Sequence, residues 1–264
     1  MQKVSAIIPC FNEEHNIEEA IKSVQWADEI IVIDSFSTDQ TPEIAQRFDV
    51  RFVQHEYENS AAQKNWIIPQ ASHDWIFLLD ADERVTPELA QEIASILSQT
   101  NISEKGFWIF RSNSFMGRRL KYSGWQGDKV IRLFQKSCRY EAKRVHAEIE
   151  TTSGDFGVLK HKLLHNTYVG FDHYIKKLNR YAWWQANDLF SKGKHSITPY
   201  HILIKPAARF LKHYIVQKGV LDGFPGFVIS ALQAYAVATR YVKLYLLKKD
   251  LNCLLYTSPS PRDA

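Results

Sequence analysis

Four short apolar runs, separated by amphipathic stretches, constrain this chain more than any other feature. They are "VSAIIP" (Val4–Pro9), "EIIVID" (Glu29–Asp34), "VRFV" (Val50–Val53) and "WIFLLD" (Trp75–Asp80). Each is strand length, apolar and bounded by polar residues, and reads as a buried strand. After the first run, Ile17, Ala20, Ile21 and Val24 recur at helical spacing. Thr41-Pro42 and Thr86-Pro87 each place a capping hydroxyl before a first-turn proline, the signature of a helix start. In the second of these helices Leu89, Ile93, Ile96 and Leu97 share a face. Strands alternating with helices imply right-handed crossovers, so the expected fold is α/β, a mostly parallel sheet with helices on both faces. "GFWIF" (Gly106–Phe110) and "VIRLF" (Val130–Phe134) are expected as later strands. The loop between them is rich in Gly, Arg and aromatics.

From about Phe171 the pattern becomes helical and basic. Three helices are expected there: one ending near Gly193, a second interrupted by Pro206, and a third beginning near Phe224. The expected division is therefore a catalytic α/β domain over 1–165, a helical C-terminal extension over 166–252 and a tail over 253–264. The tail, "CLLYTSPSPRDA", resembles a translated sequencing adapter, and the first six residues fit the triplets TGT-CTC-TTA-TAC-ACA-TCT. It is read as an artefact joined to a truncated gene, against the alternative of a native Ser/Pro-rich tail.

Composition narrows the function class. A 45% hydrophobic and 13% aromatic chain is globular rather than disordered. A net charge of +4 suits anionic ligands or an anionic membrane surface and falls short of a nucleic-acid footprint, so no nucleic-acid partner is expected. The start "MQKVSAIIPC" enters strand-like sequence at once, so no signal peptide is expected. Three cysteines without metal-like spacing indicate a reducing compartment. No apolar run reaches the roughly 18 residues needed to span a bilayer.

The chemistry sits at the strand ends, where open α/β sheets bind their ligands. Three of the four runs end in polar sequence: "PCFNEE" (Pro9–Glu14), "DSFSTDQT" (Asp34–Thr41) and "DADE" (Asp80–Glu83). Each has a local explanation as caps, turn formers or acids near a helix start. Together they crowd carboxylates along one sheet edge, and such acids repel unless a cation lies among them. Asp80 and Asp82, one residue apart, are expected to converge on a hard divalent cation, Mg2+ or Mn2+. Such an ion uses few protein carboxylates and completes its shell with water and phosphate, which makes a diphosphate the natural ligand.

In order and spacing, "IIPCFNEE…DSFSTDQT…QKN…LLDADE" resembles the family-2 inverting glycosyltransferases of the GT-A fold. "YENSAAQKNWII", "VIRLFQK", "RVHAEIE" and "KPAARFLKHYIVQKGVLDGFPGF" extend the resemblance to the bacterial lipopolysaccharide core β-glucosyltransferase subgroup, to about Leu251. The resemblance implies a nucleotide-sugar half over about 1–100 and an acceptor half over about 101–165. It places Pro9, Phe11, Asn12 and Glu13 against the nucleotide and Asp34 on the uracil or ribose. Asp80 and Asp82 match the motif that holds the metal and the donor diphosphate. Lys64 matches a position that contacts the donor, with a solvated helix lysine as the alternative. The implied reaction moves a hexose, typically glucose from UDP-glucose, onto an inner-core heptose.

Inversion is a single displacement needing one base for the acceptor hydroxyl and help for the departing diphosphate. The resemblance places the base near "RVHAEIE". Many members of the subgroup read Val-His-Glu where this chain reads Val145-His146-Ala147-Glu148, which shifts the acid by one residue. Glu148 is the first candidate and Asp128 the second, with His146 orienting the acceptor or contacting the diphosphate. Arg132, a cation inside a strand-like run, needs an anionic partner; a donor phosphate or an acidic core sugar would serve. The loop residues Arg118, Arg119, Lys121, Tyr122 and Trp125 suit sugar stacking and pairing with phosphorylated or acidic sugars.

In "YHILIKPAARFLKHYIVQKG", cations alternate with Ile202, Ile204, Phe210, Leu211 and Ile215. This helix either lies in a membrane interface or packs its apolar face on the catalytic domain. Trp183, Trp184, Tyr200 and Tyr214 fit an interfacial belt or a plain core. A lipid-anchored core acceptor makes a cytoplasmic enzyme, peripheral on the inner membrane, the expected location. The competing functions are a related transferase for capsule, exopolysaccharide or polyprenyl-linked glycan, and an inactive nucleotide-sugar-binding scaffold.

Overall fold

Strand-forming runs and capped helices alternate through the first hundred residues, and their apolar periodicities decide which face each one buries. A computed structural model describes residues 2–141, 148–151, 155–166, 171–193 and 196–249. His146 and the expected adapter tail lie outside these residues. Two compact units divide the chain: residues 1–112 with 128–165, and residues 113–127 with 166–264.

The first unit opens with β1 (Val4–Cys10), α1 (Ile17–Ser23), β2 (Glu29–Asp34), α2 (Thr41–Ala45) and β3 (Arg51–Gln54). It continues with α3 (Ser60–Ile67), β4 (Trp75–Leu78), β5 (Glu83–Arg84) and α4 (Pro87–Leu97). β6 (Gly106–Phe115) runs out of this unit into the second, and β7 (Arg118–Arg119) pairs with its end. β8 (Lys129–Gln135), β9 (Phe156–Val158) and β10 (Leu163–His165) complete the strands. Their order is β3-β2-β1-β4-β8-β6-β10-β5.

β3, β2, β1 and β4 are parallel, as the crossovers demand. Beyond β4 the sheet is mixed: β8 runs antiparallel to both β4 and β6. No helix separates β6 from β8, and without a crossover a returning strand pairs antiparallel. Alternation sorts the parallel strands between two cores. Val4, Ala6 and Ile8 face Ile17, Ile21, Leu89 and Ile93 of α1 and α4, while Ile7, Ile31 and Ile33 face Ala61 and Ile67 of α3. Helices therefore cover both faces. α3 escaped the periodicity argument because two of its buried residues, Gln63 and Lys64, are polar. Its start is fixed by Asn59, whose side chain accepts a hydrogen bond from Ala62 N–H at 2.9 Å.

In the second unit α5 (Phe171–Ser191), α6 (Lys205–Leu211) and α7 (Gly223–Lys248) are the expected helices. Pro206 does not break the second of them. It opens α6 directly after the wider π-helical turn of Tyr200–Ile204, and a second π-helical turn, Lys212–Val216, follows α6. Tyr174 and Leu178 of α5 pack on Ile229 and Leu232 of α7, with Phe115 and Leu120 beside them. The aromatic loop joins this unit. Lys121 and Tyr122 N–H each donate to Asp222 at 3.0 Å, Ser123 Oγ donates to it at 2.8 Å, and Trp125 packs edge-on against Phe115. Gly226 lets two turns touch, since a Cβ there would lie 2.0 Å from the Gly219 carbonyl. Gly219–Lys248 is long and apolar enough to cross a membrane by length and composition. The sequence showed no such run because Gln233, Arg240 and Lys243 interrupt it.

One contact on α4 fixes the approach to β10. The Glu92 carboxylate accepts hydrogen bonds from Lys160 N–H at 2.8 Å and His161 N–H at 2.9 Å, with His161 Nδ1 at 2.8 Å. Burial works against its charge, but these donors lower its pKa. A depressed native pKa gives stability that is complete above the unfolded value of about 4.3 and lost as pH falls through the native one. Glu92→Gln is expected to destabilise by about 2 kcal/mol at neutral pH, the scale of hydrogen bonds to a charged group. Urea unfolding should show the difference from the parent protein shrinking below about pH 4.

Candidate active site

The two strand-end motifs after β1 and β2 are stitched to each other. Asn12, in the left-handed region at φ 53°, donates its N–H to Ser37 Oγ at 2.8 Å and accepts Thr38 N–H on Oδ1 at 2.8 Å. Glu13 N–H donates to Thr41 Oγ1 at 2.7 Å, and Glu14 N–H donates to Asp39 Oδ2 at 3.1 Å. Asp34 is fully buried. Its carboxylate accepts Ser37 N–H at 3.0 Å, Gln54 Nε2 at 3.1 Å and the Ser37 hydroxyl in direct contact. The Asn, Asp, Ser and Thr side chains of both motifs thus satisfy backbone donors that leave the sheet without strand partners. Pro9, at the end of β1, and Phe11, just past it, are half-buried.

α3 supplies three consecutive side chains to three places. Gln63 Nε2 donates to Ser35 Oγ at 2.7 Å. Lys64 points its ammonium at Asp80 and lies over the Tyr140 ring, 5.1 Å from its centroid. Asn65 donates from Nδ2 to the Tyr140 carbonyl at 2.9 Å and accepts Tyr140 N–H at 2.8 Å. Lys64 is a buried ion-pair residue, not a solvated helix lysine.

Asp80, just past β4, is gripped by cations. Its carboxylate contacts the Arg132 guanidinium directly and stands 3.5 Å from Lys64 Nζ. Arg132 Nη2 also donates to Glu83 Oε1 at 2.7 Å, and Arg111 Nη1 stands 3.4 Å from that oxygen. Arg111 grips Asp128 with two bonds, Nε to Oδ2 at 3.0 Å and Nη2 to Oδ1 at 2.8 Å. Burial alone would raise the Asp80 pKa, but Arg132, Lys64 and Arg111 hold it well below the usual carboxylate range. Burial likewise works against the charge on Arg132, yet Asp80 and Glu83 hold its pKa well above the ordinary value. The anionic partner that Arg132 needs is thus the protein's own carboxylates.

Asp82 faces elsewhere. Its Oδ2 lies 3.3 Å from His165 Nε2. β5 and β10 bring them together, because His165 is registered opposite Glu83. Burial raises the pKa of Glu13; its bond from Asn16 and the Arg84 charge oppose this, and the nearby Asp82 and Asp39 charges add to it. Arg84 fastens the turn by donating to the Ala81 carbonyl at 2.7 Å and the Asn16 carbonyl at 2.9 Å.

Asp80 and Asp82, expected to share one ion, therefore have separate partners. No group of three or more His, Cys, Asp or Glu able to hold a metal occurs among the described residues. The donor set at Asp82 and His165 nonetheless suits a divalent ion that keeps most of its shell as water and phosphate. The Asp82 carboxylate and the His165 imidazole, 3.3 Å apart, are the two side chains that would hold it. Of the candidate bases, Asp128 gives both oxygens to Arg111, while Glu148 is exposed. Glu148 is held in place by its backbone: Glu141 N–H donates to its carbonyl at 2.9 Å, beside the bridge between Tyr140 and Ile149. Sequence reasoning missed the roles of Glu83, Arg111 and His165. Glu83 was visible in "DADE" but read as a helix-start acid, and a three-residue strand gave His165 no pattern to stand out from.

Comparisons with known proteins identify the family. Residues 5–167 fit the model of the family described as "Glycosyl transferase family 2". The chain is a member of that family. Lipopolysaccharide core biosynthesis glycosyltransferase LpsC of Rhizobium meliloti (strain 1021) is 27% identical over 260 residues, covering 94% of this chain and 95% of that protein. An uncharacterized glycosyltransferase of Rickettsia felis is 28% identical over 266 residues, 95% of this chain and 91% of that one. Among solved structures, glucosyl-3-phosphoglycerate synthase from Mycobacterium tuberculosis in complex with Mn2+, UDP and phosphoglyceric acid is similar over 42% of this chain and 43% of that one. Its TM-score is 0.35 and its sequence identity 23%.

Removing Arg132 would take the shared cation from Asp80 and the fully buried Glu83, leaving them the longer contacts to Lys64 and Arg111. Arg132→Leu is expected to destabilise by about 3–5 kcal/mol in denaturant unfolding, the range for breaking one side of a buried pair. The double variant Arg132→Leu/Glu83→Leu should recover part of that loss, because it removes the stranded charge.

Proposed function

We propose that this enzyme is an inverting hexosyltransferase that uses a UDP-sugar, with glucose the first candidate, and acts on an inner-core heptose of lipopolysaccharide. The observation that carries this reading is the Asp82–His165 pair at the carboxyl edge of four parallel strands, in a chain that aligns with LpsC over nearly the whole of both.

In this reading the stitched loops after β1 and β2 form the floor for the nucleoside, with Asn12 and Glu13 holding the loop and buried Asp34 keeping it rigid. Asp82 and His165 would hold Mg2+ or Mn2+, and such an ion would supply Lewis-acid neutralisation of charge on the leaving diphosphate. Lys64 adds positive charge beside Asp80. Asp80 itself sets the position of Arg132 and Lys64 rather than binding the ion. Glu148 takes the acceptor hydroxyl proton as that oxygen attacks the anomeric carbon and the diphosphate departs from the opposite face. The segment that carries it is tied through Tyr140 to Asn65, next to Lys64.

Purified protein is to be screened against UDP-sugars with and without EDTA, on core oligosaccharide truncated at the heptose. Asp82→Asn and His165→Ala should each lose about a hundredfold or more in kcat, the scale on which one charge-stabilising group acts, with unchanged circular dichroism. Transfer that survives EDTA and both substitutions would remove the ion from this reading. Glu148→Gln should lower kcat with little change in KM for the donor, and full activity in that variant would assign the base elsewhere. Glycan mass spectrometry of a deletion strain tests the acceptor: a core lacking its first hexose supports the reading, and an intact core with a missing surface polymer overturns it.

A further inference from the structure

We propose that the helical unit docks flat on an anionic lipid bilayer, through the outward stripe of the helix over 200–216 and the turn over 216–227. The stripe runs the wrong way round for a helix that packs only on its own protein. Ile204, Ala207, Ala208, Leu211 and Ile215 recur every three or four residues, and all are exposed. The inward side carries Pro206 and His213, both buried, and Lys205, whose Nζ donates to the Tyr241 hydroxyl at 2.7 Å. A surface helix of a soluble protein turns its apolar stripe toward the core; this one turns its own to solvent. The following turn adds Val216, Leu221 and Phe224, which are 74%, 63% and 68% exposed. Exposed apolar surface this continuous marks an interaction site.

Charge selects lipid as the occupant. Residues 199–249 contain eight Lys and Arg against one acid, Asp222. That acid is engaged by Lys121 N–H, Tyr122 N–H and Ser123 Oγ. Exposed Lys212 and Lys218 border the stripe. Lysines rimming an apolar helix face match an anionic headgroup layer over acyl chains, whereas protein interfaces are depleted in lysine.

The mode is interfacial rather than spanning, despite the apolar length of Gly219–Lys248. α5 lies along α7, with Arg240 Nη1 donating to Gln185 Oε1 at 2.9 Å and Lys243 Nζ donating to the Asn179 carbonyl at 2.8 Å. A spanning α7 would draw α5 into hydrocarbon with Asp172, Lys176, Lys177, Arg180 and Asp188. None of this depends on which sugar is transferred or to what.

The test is co-sedimentation of the full chain with phosphatidylcholine vesicles, with and without phosphatidylglycerol, at low and high salt. The protein is expected to bind the anionic vesicles and to release as salt rises. Leu211→Glu/Ile215→Glu should lose about tenfold or more in partitioning. Lys212→Gln/Lys218→Gln should lose about fivefold per lysine at low salt, a difference that closes at high salt. All four positions except Lys218, in the turn, lie on the helix and all are exposed, so circular dichroism and thermal melting should not change. Failure to bind anionic vesicles, or binding that neither variant weakens, overturns the proposal. A dimer in solution that Leu211→Glu/Ile215→Glu dissociates would make the face a self-interface, and carbonate-resistant retention in cell membranes would make α7 a span; either overturns it too.

Discussion

The sheet edge of this enzyme is organised by one electroneutral chain of ions, of which Lys64, Arg132 and Glu83 are buried. Lys64, Asp80, Arg132, Glu83, Arg111 and Asp128 alternate in sign, three cations with three acids, and each touches the next. They come from α3, the turn after β4, β8, β5, β6 and the start of β8, so the chain crosses the strands that converge there. Such a network adds little net stability over apolar packing, because desolvating six charges consumes most of what their attraction returns. What it supplies is registry. A strand slip of one residue would leave a buried charge alone, and that penalty far exceeds the net worth of any single pair.

Electroneutrality inside the network also explains the site next to it. Asp80 has its charge matched by Arg132 and Lys64. Asp82 projects out of the network toward His165, and its charge adds to the burial that raises the Glu13 pKa. The surplus of negative charge therefore lies one residue beyond the network, on the side of the β1 loop. The two aspartates thus have separate partners although they are identical in type.

Much of the fold was legible because apolar periodicity survives in short windows. β2 matches "EIIVID" residue for residue, and Thr86 caps α4 where Thr-Pro said it would. The rest was hidden where tertiary context overrides local pattern. α3 buries Gln63 and Lys64 for hydrogen bonds and ion pairs, so its sequence carries a weak apolar stripe. β5, β9 and β10 are two or three residues long and exist only because neighbours pair with them. At the site, sequence located the acids but not their partners. The cations that answer Asp80 lie 16 residues before it and 52 after it, and no local rule connects such distances.

The same limit applied to the C-terminal helices, with a different physical cause. Their sequence is amphipathic, but amphipathicity gives a stripe and not its direction. Direction depends on what else each side of the helix must satisfy. Lys205 reaches the Tyr241 hydroxyl, and His213 Nδ1 stands 2.8 Å from the Ser123 carbonyl; both hold the polar side inward and leave Leu211 and Ile215 facing out. The loop at 121–123, which Asp222 binds by two backbone N–H groups, supplies the carbonyl that His213 needs. The outward apolar face is thus a consequence of polar contacts on the inside. A helix held in that orientation exposes hydrocarbon unless a second phase covers it.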